Sequence, residues 1–298
     1  MPASPMDRGL QDLLRRVKTL ELVARKNATG LLAGDYVTAV RGRGMMFHDA
    51  RRYVPGDDVR SIDWKMTARL REPYVRLYLD EREREVFIAL DVSPSMKTGW
   101  QARTKMEYAV EIAATLAVSA ALQRDRIGYV LFADRALDMA VPRGGPAQLF
   151  RTLKAFLVHG RSAPRRCPLS DPRAAIHAIQ SLKGRKFVVF MISDFIDRDV
   201  PDDLRYVQAR HDVSLLHVYD PLEFARGVPV VVPAFSPEGK PSHGLVSPGS
   251  GEDLDSFRSF MSREASKYHM AFHSFSTREP VDDSLRQFFD RRRRLLYG

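Results

Sequence analysis

Val86-Phe87-Ile88-Ala89-Leu90-Asp91-Val92-Ser93-Pro94-Ser95 is the stretch that decides the fold of this chain. An apolar run stops at an aspartate, and two serines follow at alternate positions. A continuous run of this length reads as a strand buried on both faces of a parallel sheet. Asp91 then lies at its C-terminal end. Alternation sends Asp91, Ser93 and Ser95 in related directions if the backbone stays extended past the strand. One carboxylate and two hydroxyls make a hard, all-oxygen set, the kind that suits Mg²⁺ or Mn²⁺.

Strand-like and helix-like segments alternate from this stretch onward. The pattern predicts strand 85–91, helix 103–123, strand 126–133, a short strand 136–141 and helices 146–158 and 171–182. Strand 186–192, a helix opened by Pro201, strand 213–219, helix 252–268, strand 270–275 and a last helix near 281–296 follow. This rhythm implies an α/β fold with a mainly parallel sheet and helices on both faces. Residues 221–250 are rich in proline and glycine and read as a long excursion with a short hairpin.

Upstream, Leu10, Leu13, Leu14, Val17, Leu20 and Val23 recur at helical spacing. They define an amphipathic helix within residues 1–30, docked by its apolar face. Glycines and the turn Pro55-Gly56-Asp57-Asp58 break 31–82 into a small β-rich extension. Residues 83–298 form the main domain. Trp64 reads as core, and Arg52, Arg60 and Arg69 with Asp57, Asp58 and Asp63 as a buried ion-pair web or a docking surface. The run Arg291–Arg294 fits a helix end, where cations complement the macrodipole.

In an open α/β sheet, ligands collect at the C-terminal ends of strands near a topological switch point. Two strands end in aspartate, Leu90-Asp91 and Ile192-Ser193-Asp194. Ser170 is expected to cap the helix starting near 171 and to present its hydroxyl to the same edge. Capping alone explains each of these elements taken singly. Asp91, Ser93 and Ser95 together exceed what one cap needs, and with Asp194 they point to a metal-type site.

Composition narrows the function classes. The 298 residues carry a net charge of +10, which permits an anionic partner without requiring one. The basic residues alternate with acidic ones, as in Asp80-Glu81-Arg82-Glu83-Arg84-Glu85, and no aromatic stacking platform is visible, so a nucleic-acid binder ranks low. A metal-assisted hydrolase or phosphatase is the main alternative. Against it, no second aspartate follows Asp91 at two residues, and neither a Gly-x-Ser-x-Gly elbow nor a phosphate loop is present. No catalytic constellation stands out. A single cysteine, Cys167, excludes an internal disulfide. With no apolar run near the ~20 residues needed to span a bilayer and no signal-peptide pattern, a cytoplasmic location is expected.

Asp91-Val92-Ser93-Pro94-Ser95 resembles the Asp-x-Ser-x-Ser signature of von Willebrand factor A domains and their metal-ion-dependent adhesion site (MIDAS). More specifically, Arg52-Tyr53-Val54-Pro55-Gly56-Asp57-Asp58-Val59-Arg60-Ser61-Ile62-Asp63-Trp64, Thr67-Ala68-Arg69-Leu70 and the later Ser193-Asp194-Phe195 are similar to the DUF-58 family. The resemblance covers most of residues 35–220. It implies a von Willebrand factor A-like Rossmannoid domain with an N-terminal extension. In related domains two serines and a loop threonine bind the metal, and two aspartates bind it directly or through water. Carried over by position, the metal residues are Asp91, Ser93, Ser95, Ser170 and Asp194, for Mg²⁺ or Mn²⁺. Ser170 stands where a threonine is usual, and Cys167 is the other alignment for that position. Such a site leaves one coordination position for a partner's carboxylate. The resemblance further implies a non-enzymatic accessory partner of a MoxR-type AAA+ ATPase that matures or remodels a client protein. In size and in lacking a membrane span the chain resembles a short soluble branch, the MxaS/MoxS type.

Overall fold

A computed structural model describes residues 5–30, 46–57, 62–79, 84–99, 103–161, 170–182, 186–196, 201–224, 230–235, 241–246 and 253–297. Helix α1 (Pro5–Gly30) comes first. Strands β1 (Met46–Arg52) and β2 (Tyr74–Leu79) pair antiparallel, with Arg52 beside Tyr74. Between them lies the short helix α2 (Trp64–Leu70), where Asp63 accepts from the N–H groups of Lys65 and Met66 and so caps the first turn.

The main sheet draws on β3 (Glu85–Asp91), β4 (Arg126–Phe132), β5 (Ala136–Arg143), β6 (Phe187–Ser193), β7 (Asp212–Tyr219) and β10 (Ala271–Ser276). Its order is β10-β7-β6-β3-β4-β5, parallel throughout except for the edge strand β5. The helices are α3 (Lys105–Leu122), α4 (Pro146–Arg161), α5 (Pro172–Gln180), α6 (Leu204–Arg210), α7 (Leu254–Lys267) and α8 (Val281–Tyr297). The expected mainly parallel α/β sheet is present. The excursion holds the expected hairpin, β8 (Val230–Phe235) against β9 (Pro241–Val246).

Chain order fixes the switch point. The chain passes from β3 to β4 and β5 on one side, then returns to β6 on the other side of β3. The crevice between the ends of β3 and β6 is where connections diverge and a ligand finds room. Leu90 pairs with Ile192, so Asp91 and Ser193 end their strands at the same level.

Strand alternation splits the core into two layers. Val86, Ile88 and Leu90 join Ala109, Ile112, Ala113 and Leu116 of α3. Phe87 and Ala89 join Ala175, Ile176 and Ile179 of α5 with Met261 of α7. Full burial of one such Leu, Ile or Phe contributes about 1.5–3 kcal/mol. Helix α3 is buried on nearly every face from Lys105 to Ala120, because α1 and α4 cover the side turned from the sheet. Val17, Ala24 and Ala28 of α1 belong to the same core. Its Asn27 donates to Glu111 of α3 at 2.8 Å.

Three local expectations are corrected. Trp64 is 66% exposed rather than core: it opens a short helix whose described side chains are none of them buried. The ion-pair web is exposed and wired differently. Arg51, not Arg52, holds Asp57 at 2.7 Å, Arg52 reaches Glu72 at 2.8 Å, and Asp63 serves as the cap. Arg60 and Asp58 lie outside the described residues. Pro201 does not open α6 but sits three residues ahead, its carbonyl accepting from Leu204 N–H at 2.9 Å. The run Arg291–Arg294 falls near the end of α8 as expected, with Arg294 in the last turn, and within it Arg292 is buried. It meets Asp212 at 2.5 Å and Ser214, pinning α8 to β7.

Candidate metal centre at the strand switch

Asp91 follows Ala89 by two positions and therefore leans towards the α5 layer. It is fully buried. Its Oδ1 accepts from Ser93 N–H at 2.8 Å, and its Oδ2 accepts from the hydroxyls of Ser170 and Ser193, each at 2.6 Å. A carboxylate has about four acceptor sites, and three are used here. Burial pushes Asp91 up to about 6, and the nearby Asp194 charge adds to this, while the two hydroxyls and the amide pull it back.

Ser170 reaches Asp91 because it is not the cap. That role falls to Asp171, whose carboxylate accepts from Arg173 N–H at 2.9 Å. The expected capping by Ser170 is thus corrected by one residue, and the correction frees its hydroxyl for the site. Asp171 N–H donates to the Ala133 carbonyl at 2.9 Å, which ties this turn to the end of β4. Cys167 lies outside the described residues.

After β3 the backbone enters a short 3-10 turn at Pro94–Lys97. Ser93 and Ser95 keep their hydroxyls 3.0 Å apart, and Thr98 donates to the Ser95 carbonyl at 2.8 Å. Asp194 stands just past β6. Its Oδ2 accepts from Lys105 Nζ at 2.8 Å, whereas its Oδ1 is buried without a hydrogen bond. Burial works to raise Asp194, but Lys105, helped by Ser95, outweighs it and holds the carboxyl below its usual range.

The structure thus gathers Asp91, Ser93, Ser95, Ser170 and Asp194 at one edge of the sheet. Three further residues take part. Ser193 is one, and its Oγ also accepts from Phe195 N–H at 3.1 Å. The second is Lys105, 1% exposed and bonded to Asp194 and Glu223. A signal for it exists: Lys105 heads the stripe Ala109, Ile112, Leu116 on a helix buried almost all round. The third is Glu223, whose other oxygen accepts from Asp220 N–H at 3.1 Å. Tyr219-Asp220 is in fact a third strand ending in aspartate, beside Ser193-Asp194 in the sheet.

Does this donor set fit a divalent cation? Its oxygens are hard and two carboxylates converge. One buried carboxylate oxygen, Asp194 Oδ1, has no hydrogen to satisfy it, a cost of several kcal/mol unless something positive or protic arrives. The set fits. Among the described residues no cluster of three His, Cys, Asp or Glu side chains with metal-ligand spacing occurs, so the hydroxyls are essential to the argument.

Residues 49–231 match the family described as protein of unknown function DUF58, and the chain belongs to that family. An uncharacterized protein of Mycobacterium tuberculosis is 32% identical over 210 residues, which cover 70% of this chain and 66% of that relative's length. Among solved structures, a conserved hypothetical protein, BatB from Bacteroides thetaiotaomicron, is 17% identical and covers 71% of this chain and 99% of its own, with a TM-score of 0.47. A von Willebrand factor type A protein from Catenulispora acidiphila is 12% identical and covers 75% of this chain and 44% of its own, with a TM-score of 0.41. Among the described residues no helix is long and apolar enough to cross a membrane.

Proposed function

We propose that this chain is a non-enzymatic protein-interaction module whose strand-end site binds Mg²⁺ or Mn²⁺ and, through it, a partner's carboxylate. The observation that carries the reading is the buried, unsatisfied Asp194 Oδ1 at the same sheet edge as Asp91 and the hydroxyls of Ser93, Ser95 and Ser170. Asp91 and Asp194 would supply charge, and the serines would supply neutral oxygens. A bound cation would offer Lewis-acid attraction to an incoming Glu or Asp, worth more in a buried site than in water.

Family membership and the sequence resemblance favour a MoxR-type AAA+ ATPase and its client as the partners. The hydroxyls of Ser170 and Ser193 solvate the buried charge of Asp91, a role in holding the site that favours binding over hydrolysis. The test is capture of a MoxR-type ATPase encoded beside this chain, with Mg²⁺ and with EDTA, by the native chain and by Asp91→Ala. Capture only by the native chain with Mg²⁺ supports the reading. Equal capture in EDTA, or by the variant, contradicts it.

A further inference from the structure

Lys105 is out of place by ordinary rules. It occupies the first position of α3, where the helix dipole disfavours a cation. It is buried, although lysine is almost never fully buried unless paired. The capping box of Thr104 and Glu107 already satisfies the helix start. Helix stability therefore gives no reason for a lysine here.

What the ammonium does is set by its neighbours. Lys105 bonds two carboxylates, Asp194 and Glu223, and the charge of Asp194 also acts on Asp91. With all four groups charged the cluster sums to −3 + 1 = −2, the charge that one divalent cation cancels. Lys105 takes Asp194 Oδ2 and leaves Oδ1 open, so ammonium and metal need not compete for one oxygen. Glu223 carries the arrangement onward: it accepts from Asp220 N–H, and Asp220 accepts from Leu222 N–H at 2.9 Å and Thr277 at 3.3 Å.

We propose that Lys105 is a built-in counter-ion that lets the strand-end site fold before its metal arrives and holds Asp194 with one oxygen turned to receive it. The inference rests on the cation site proposed above. Without Lys105, the buried Asp194 would face Asp91 on one side and Glu223 on the other with no cation between them, and a divalent cation would be the remaining way to keep it ionised. Lys105 is then a positioning residue, and its removal converts a chain that folds without metal into one that needs it.

Thermal unfolding in EDTA and in millimolar Mg²⁺ tests this on the full chain, Lys105→Met, and the double variant Lys105→Met with Asp194→Asn. The native chain is expected to be folded in EDTA. Lys105→Met should lose roughly 10 °C in EDTA, and Mg²⁺ should raise its Tm by about 5 °C more than it raises the native Tm. The double variant keeps the native net charge and should lose that excess response. If Lys105→Met does not accumulate folded, its refolding yield from denaturant is compared with Mg²⁺ and with EDTA, and a yield that rises with Mg²⁺ is the expected result. An equal loss or yield in both buffers, or a native chain that unfolds in EDTA, overturns the inference. Mn²⁺ titration of the native chain separates the two claims: a native chain that binds Mn²⁺ beside a variant without Mg²⁺ rescue overturns the role of Lys105 alone, whereas a native chain that binds no Mn²⁺ overturns both.

Discussion

Ser170 Oγ lies 2.6 Å from Asp91 Oδ2, although the two residues are 79 positions apart. The contact joins the loop ahead of α5 to the end of β3 and gives Asp91 one of the two hydroxyls that keep it ionisable while buried. Ser193 supplies the other from the adjacent strand. Hydrogen bonds to a charged acceptor are worth about 1.5–3 kcal/mol. Ser170→Ala and Ser193→Ala should therefore each raise Asp91 above its value of about 6 and weaken Mn²⁺ binding roughly tenfold or more. Carboxyl NMR titration and Mn²⁺ EPR check both effects, and unchanged values for both variants would contradict this account of Asp91.

Stability should also fall in acid because three histidines are buried. Burial holds His211 down at about 4 and His217 and His273 at about 3, against about 6.5 in an unfolded chain. The unfolded chain takes up those protons first, so their stabilisation is complete above about pH 6.5 and is lost as pH falls towards 4. Asp91 acts oppositely: its raised value makes the folded state bind a proton first between about 6 and 4. Three histidines outweigh one aspartate, leaving a net uptake of about two protons on unfolding near pH 5 from these four groups. Urea midpoints should decline from pH 7 to pH 5. His273 Nδ1 has no hydrogen bond and the ring packs on Phe275 at 4.7 Å, so His273→Phe should flatten the decline without loss of stability at pH 7.

Arg292 clamps the last helix to the sheet through Asp212 and Ser214. Removing one partner of a buried pair costs about 3–5 kcal/mol. Asp212 is partly exposed, so the lower end applies to Arg292→Met, or a Tm drop of roughly 5–10 °C. Mn²⁺ affinity should not change, because the clamp is at the opposite end of β7 from Tyr219. Calorimetry with a metal titration separates the two readouts.

Gly128 in β4 has no room for a side chain. A Cβ there would stand 2.7 Å from the Phe87 ring and 2.9 Å from the Ala140 carbonyl oxygen. The ring could shift, but the backbone of β5 is held by its pairing with β4. Gly128→Ala should cost about 1–3 kcal/mol through overpacking, measured as a lower urea midpoint with an unchanged slope.

Periodicity made the main sheet legible because β3, β4, β6 and β7 are buried on both faces and read as unbroken apolar runs. Asp91 and Asp194 were legible for the same reason: a charge that ends such a run must sit at the sheet edge. Lys105 heads an apolar stripe, but its role was hidden because its partners Asp194 and Glu223 lie 89 and 118 positions away in sequence. Ser170 was found with the wrong local role, since Ser170 and Asp171 are both good caps and only the fold decides between them. Trp64 misled because size and hydrophobicity predict burial only where an element has something to pack against.

The central claim is that these strand-end oxygens form one cation site, and equilibrium Mn²⁺ titration followed by EPR tests it most directly. The native chain should take up one Mn²⁺, displaced by Mg²⁺. Asp91→Ala and Asp194→Ala should bind none while keeping the native far-UV circular dichroism. A native chain without a saturable site, or folded variants that bind as tightly as it does, would contradict the account.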